Sequence, residues 1–144
     1  MASLKSMLRR LLVIVLACGI LPACRKADAP PVGTGAREVV TKYFEALSQQ
    51  DWPTAYALLH ADTQKQQDRS AFERSAQAYR DRLGFPLGKV TVRSCDELGE
   101  KAIAQVLLSD ATGSVKNRYR DGLVLRRAPD GWRIVLPENF GQAK

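Results

Sequence analysis

The sequence predicts an α+β domain in which helices come first and strands follow. Two observations carry this reading. Apolar residues recur at helical spacing between Ala36 and Leu83, and beyond Gly88 the spacing changes to two, with turn residues separating the runs. The plan is three N-terminal helices packed on a curved antiparallel sheet of about four strands, the helices covering one of its faces.

Each element follows from its residues. Val40, Tyr43, Phe44 and Leu47 share one face of a first helix that begins at Ala36 and ends near Gln50. Asp51 caps a second helix, with Trp52 and Pro53 in its first turn, where a missing amide hydrogen costs little. Ala55, Tyr56, Leu58 and Leu59 give it an apolar side, and His60 falls at its end. Ser70-Ala71-Phe72-Glu73 fits a capping box opening a third helix, whose buried stripe is Phe72, Ala76, Tyr79 and Leu83. Gly84 closes it and Pro86 prevents its continuation. Val90 and Val92 mark the first strand, Ala102 to Leu108 the second, Val115 to Arg127 the third and Trp132 to Leu136 the fourth. Asp96 to Gly99, Asp110 to Gly113 and Pro129-Asp130-Gly131 are the expected turns. Trp132 and Ile134 are expected to pack on Phe44 and Leu47.

Ahead of this domain lie a basic start, with Lys5, Arg9 and Arg10, and an apolar run from Leu11 to Ala23 that leads into Leu21-Pro22-Ala23-Cys24. The layout is that of a lipoprotein signal peptide over residues 1–23. The run is shorter than the roughly 20 residues of a spanning helix. A plain secretory signal cut after Ala23 is the stronger rival, because Pro22 departs from the usual lipobox pattern. Val15-Leu16-Ala17-Cys18 is a weaker second site. Acyl chains on Cys24 would hold the protein on a membrane, at about 0.8 kcal/mol per buried methylene. Residues 24–35 contain Pro30, Pro31, Gly33 and Gly35 and read as a flexible tether, leaving 36–144 as a single domain. Arg25 follows the acylated position where an aspartate retains enteric-type lipoproteins in the inner membrane. Likeness to that class favours the outer membrane, with the domain facing the periplasm.

The formal net charge of the 144-residue chain is +7. Basic residues alternate with acids except around Lys116, Arg118, Arg120, Arg126, Arg127 and Arg133, so a nucleic-acid module is a poor reading. A solvated sheet face explains the cluster most simply, and attraction to anionic phospholipid or lipopolysaccharide is the functional alternative. Of the three cysteines, Cys18 leaves with the signal and Cys24 is acylated. Cys95 then stands alone as a small, partly buried apolar residue.

Val39-Val40-Thr41-Lys42-Tyr43-Phe44-Glu45-Ala46-Leu47, then Asp51-Trp52-Pro53-Thr54-Ala55-Tyr56, and the closing Asp130-Gly131-Trp132-Arg133-Ile134 resemble the nuclear transport factor 2-like superfamily of cone-shaped domains. Within it the chain is similar to small bacterial lipoproteins of the DUF4878 type. The resemblance covers about Ala36 to Leu136 and implies a ligand cavity between the helices and the sheet. The superfamily holds isomerases, dehydratases and cyclases beside domains that only bind, so fold alone assigns no chemistry.

Strand phase puts Val115, Asn117, Tyr119, Asp121, Leu123 and Leu125 on one face of the third strand, taken as the inner one. With Tyr43 and Tyr56, the residues Asn117, Tyr119 and Asp121 are the expected pocket lining. Asp121 is either a base or anchor at the cavity mouth or, in the blander reading, a residue paired with an arginine or set in a bend before Gly122. His60, the single histidine, is expected to meet the end carbonyls of helix two rather than to catalyse. No metal-ligand cluster, phosphate-binding glycine loop or nucleophile motif is present, so no cofactor, metal site or catalytic residue is assigned. The resulting expectation is a membrane-anchored, non-enzymatic domain that binds a small apolar ligand, a lipid or an envelope protein. The alternative is an isomerase, dehydratase or hydrolase using Asp121 with Tyr119 or His60.

Overall fold

The computed structural model describes residues 33–142; the proposed signal peptide, Cys24 and the tether as far as residue 32 lie outside them. The order is α1 (Ala36–Gln49), α2 (Trp52–Ala57), α3 (Ala61–Gln66), α4 (Arg69–Leu83), β1 (Lys89–Leu98), β2 (Lys101–Ser109), β3 (Arg118–Ala128) and β4 (Gly131–Val135). The α+β plan holds, with one helix more than expected. Val32–Lys144 is a compact unit with its own core.

Helix α1 buries the predicted face, Val40, Tyr43, Phe44 and Leu47. Gly35 before it offers no side-chain cap. Glu97, remote in sequence, fills that role: its carboxylate accepts from the amides of Thr34, at 2.9 Å, and Ala36, at 3.2 Å. These bonds hold the Glu97 carboxyl below its usual range, the Thr34 amide contributing most.

Helix α2 is capped by Asp51, whose side chain accepts from the Thr54 amide. It ends sooner than its apolar pattern implies, because Leu58 to His60 pair with β4: His60 N donates to Ile134 O at 2.7 Å and Ile134 N to Leu58 O at 2.9 Å. Non-local bonds here replace the helical ones and cover the free edge of β4. The chain then restarts as α3, with His60 as its N-cap. In α4 the capping box is not used. Asp68 caps the helix by accepting from Ala71 N at 2.8 Å, and Glu73 instead pairs with Arg69. The helix starts earlier than the box implies, so Asp68 takes the N-cap and Ser70 falls inside the first turn. Phe72, Ala76 and Tyr79 are buried as expected, and Gly84 closes the helix at φ 71°.

The four strands form one antiparallel sheet in sequence order. Register places Val90, Val92, Cys95 and Glu97 of β1 opposite Leu108, Val106, Ala104 and Ala102 of β2, and these oppose Tyr119, Asp121, Leu123 and Leu125 of β3. A bulge between Val92 and Ser94 shifts the phase of β1, so that Cys95 and Glu97 share the inner face with Val90 and Val92 while Leu98 turns outward. The strand therefore continues to Leu98 through the segment expected to turn. Val115 and Asn117 do not extend β3, which begins at Arg118. Val115 is 77% exposed, because the loop closes on Asp110: its carboxylate accepts from Thr112 Oγ1, Ser114 N and Asn117 Nδ2, the last at 2.6 Å.

Helix α1 packs against β1, β2 and β4. Phe44, Leu47, Trp132 and Ile134 share the core, as expected. Trp132 also donates from Nε1 to Thr34 Oγ1 at 2.8 Å, tying the segment just before α1 to the last strand.

Candidate functional site

The inner face of β3 changes character along its length. Leu125 and Leu123 are buried beneath the helices, whereas Asp121 is half-buried and Tyr119 is 45% exposed. Past the reach of the α1 packing, these residues open into a cavity of about 460 Å³ whose walls include Tyr43, Tyr79, Tyr119, Asp121, Leu123 and Phe140. Its size falls within the range of small-molecule sites, roughly 300–1,000 Å³.

Aromatic rings build the walls. Tyr79 from α4 stacks on Phe140 with centroids 5.3 Å apart and meets Tyr119 edge-on at 6.5 Å, while Phe140 also stacks on Phe72 at 6.2 Å. Phe140 reaches this place because the chain after β4 folds back along α4. Gly141 makes that approach possible: it sits at φ 78°, and a Cβ there would lie 2.3 Å from Ser75 O. Arg82 and Gln142 complete the rim, bonded to each other through the Arg82 guanidinium and the Gln142 carbonyl.

Polar groups in this apolar setting are few. Tyr79 Oη donates to Asp121 Oδ2 at 2.6 Å, and Gly122 N donates to Asp121 Oδ1 at 2.8 Å. Burial, reinforced by the Asp121 charge, pushes the Tyr79 hydroxyl far above its ordinary range, so it remains a donor. Tyr43 is fully buried, and its hydroxyl has no hydrogen-bond partner among the described residues. Its pKa is likewise raised by burial first and by Asp121 second. Asp121 makes no ion pair among the described residues. It is also the one acid lining the cavity, and Arg82 the one cation. Such a site can hold one small molecule between rings beside the Asp121 carboxylate, with the Tyr43 hydroxyl buried in the wall behind.

Of the five expected lining residues, Tyr43, Tyr119 and Asp121 come together here. Tyr56 does not. Its hydroxyl donates to the carbonyls of Gln67, at 3.1 Å, and Gln64, at 3.3 Å, fastening the end of α3. Asn117 is spent on Asp110 in the loop before β3. Asp121 is paired with neither of its expected partners alone: a tyrosine, not an arginine, holds it, and the Gly122 amide completes the bend. The pairing of Asp121 with His60 is overturned, since His60 is absent from the cavity wall. His60 Nδ1 accepts from Asp62 N at 3.2 Å at the start of α3, and so does not meet the end carbonyls of helix two. Cys95 is half-buried on β1, where burial pushes its thiol up. Sequence reasoning placed Tyr79 only in a core stripe and overlooked Phe140. A lone aromatic between Asn139 and Gly141, in an otherwise polar tail, was the available signal.

No family model matches the chain, and no curated protein matches its sequence. Among solved structures it is similar to a Campylobacter jejuni protein described as an NTF2-like transpeptidase. The TM-score is 0.52 at 11% identity, covering 70% of this chain and 97% of that one. A Streptomyces avermitilis protein described as a dehydratase from the NTF2-like family gives a TM-score of 0.43 at 15% identity, over 68% of this chain and 87% of that one. Identities this low speak to the fold and to nothing finer. With helices preceding an antiparallel sheet of four strands and a fold-level likeness that spans almost the whole of the Campylobacter jejuni chain, the protein has an NTF2-like fold.

Proposed function

We propose that the protein is a cell-envelope lipoprotein, anchored through acyl chains on Cys24, whose domain binds a small, mainly apolar ligand in the cavity. The observation that carries the binding role is the Tyr43 hydroxyl, fully buried beside an aromatic-walled space and without a partner among the described residues. A buried hydroxyl left unmatched costs about 1–3 kcal/mol. A ligand oxygen bonded to it relieves that cost and explains why phenylalanine does not stand there. Binding rather than turnover is favoured because both oxygens of Asp121, the carboxylate in the cavity wall, are already engaged by the Tyr79 hydroxyl and the Gly122 amide, whereas a general base needs a free acceptor within reach of the proton it takes.

Native mass spectrometry on protein recovered from the periplasm tests the binding role. A reproducible bound mass, diminished in Tyr43→Phe, is expected. An empty cavity that takes up no compound from a panel of lipids and apolar metabolites overturns it, and turnover of a defined substrate overturns the non-enzymatic reading. The anchor is tested separately with an alkyne-tagged fatty acid. Cys24→Ser should abolish labelling and release the protein or stall its precursor, and density fractionation should place the labelled form with the outer membrane, following Arg25.

A further inference from the structure

The outer face of the sheet carries a second feature, independent of the cavity. Arg93 of β1 and Arg118 and Arg120 of β3 line a groove with Leu107 and Val115, and its volume is about 470 Å³. All three arginines are exposed. None of them, nor neighbouring Lys89 and Lys116, enters an ion pair among the described residues. Register explains the concentration: Leu107 lies opposite Arg120 on one side and Thr91 on the other, and Ser109 lies opposite Arg118 and Lys89. Acids are missing from these positions.

Arg93 is the extra residue of the bulge and lies on the outer face with Arg118 and Arg120. An unbulged strand would send residue 93 outward but carry Asp96 into the apolar interior two positions after Ser94. Instead the extra residue falls at 93, between Val92 and Ser94, and the Val92 carbonyl accepts from Arg37 at 2.7 Å, holding the irregularity in place. Arg118 and Arg120 lie on the same strand face about 7 Å apart. Like charges at that spacing repel; among the described residues no carboxylate pairs with them, and Arg118 donates only to the Gly113 carbonyl, at 3.1 Å.

Chemistry distinguishes the partner. Three guanidiniums in one groove suit phosphate, which they grip with paired N–H groups. Val115 at 77% exposure and half-buried Leu107 add an apolar wall that a free phosphate ion would not use. The groove contains no aromatic ring on which a nucleobase could stack. We infer that the outer face of the sheet docks on a bilayer surface containing anionic phospholipid, with Arg93, Arg118 and Arg120 on headgroup phosphates and Val115 at the acyl boundary. This contact is separate from any acyl anchor and leaves the cavity free.

The test uses the self-contained unit from residue 32 onward, which lacks Cys24, with sedimentation on vesicles of phosphatidylcholine alone or mixed with phosphatidylglycerol. Binding to the mixed vesicles only, lost at 0.5 M NaCl, is expected. A basic residue near such a surface strengthens binding roughly five-fold, so Arg93→Gln, Arg118→Gln and Arg120→Gln together should weaken it on the order of a hundred-fold. Val115→Asp should weaken it further, with circular dichroism unchanged. The charge-matched control Lys42→Gln, Lys65→Gln and Arg74→Gln, on exposed helix positions, should bind far better than the arginine triple. Equal losses in the two triples would reduce the effect to net charge and overturn the inference. So would equal binding to neutral vesicles, no binding at all, or displacement by millimolar inorganic phosphate. Ligand retention in the cavity by the arginine triple keeps this outcome distinct from that of the binding role.

Discussion

Replacing Tyr43 by phenylalanine separates stability from binding. The ring of Tyr43 is fully buried and packs edge-on against Phe44 at 5.3 Å, contacts that phenylalanine preserves, so the variant removes one oxygen and little else. Because that oxygen has no partner among the described residues, its removal should stabilise the ligand-free domain by about 1–2 kcal/mol, the lower part of the cost of an unmatched buried hydroxyl. For a domain of this size the gain corresponds to a melting temperature higher by roughly 4–8 °C per kcal/mol. The same variant should lose ligand. Tyr79→Phe supplies the contrast: it breaks a 2.6 Å bond to a carboxylate and should destabilise by about 1.5–3 kcal/mol, as charged hydrogen bonds do. Urea unfolding followed by the fluorescence of Trp52 and Trp132, on protein stripped of ligand by refolding, measures both. A loss above about 1 kcal/mol in Tyr43→Phe would mean that its hydroxyl is already satisfied in the free protein, and the reason for a ligand there would disappear.

On the last strand, Trp132 is 2% exposed, bonded to Thr34 and covered by the Arg127 guanidinium at 4.8 Å. Trp132→Ala should therefore cost about 3–5 kcal/mol in a urea melt, whereas Arg133→Ala, which breaks a surface pair with Asp130, should shift stability by less than about 1 kcal/mol; equal effects would mean that the strand faces are reversed. The loop before β3 should respond to acid. Hydrogen bonds from Asn117 and then Thr112 pull the Asp110 carboxyl down to about 2, below its unfolded value near 3.9. The stabilisation is thus present above pH 4 and fades as pH falls toward 2. The protection of the Ser114 amide against exchange, relative to its intrinsic rate at each pH, should fall over that interval, and Asp110→Asn should remove the acid dependence; a midpoint at or above pH 4 would contradict the hydrogen-bonded geometry.

What the chain reveals locally, it reveals well. The stripe of α1, the Asp51 cap, the Gly84 stop and the inner phase of Tyr119, Asp121, Leu123 and Leu125 all follow from spacing, because burial of one face imposes a period on neighbouring residues. Two members of the site, Asp121 and Tyr119, were legible for the same reason, and Tyr43 through its place in the helical stripe and the family resemblance. Tertiary structure decided the rest. Helix α2 stops at Ala57 because β4, some 75 residues on, takes the backbone bonds of Leu58 and His60. Glu97 caps the start of α1, accepting from the Thr34 amide across a separation of 63 residues, and the β1 bulge reverses the phase that simple alternation assigns beyond Val92. Tyr56 and Asn117 left the expected pocket because carbonyls and a carboxylate nearby satisfied them first. Phe140 entered it only because Gly141 allows the tail to lie against α4. Local periodicity records which side of an element is dry; which distant group meets a given donor is settled only when the elements pack, since a buried hydrogen bond depends on position in space and carries no period in the chain.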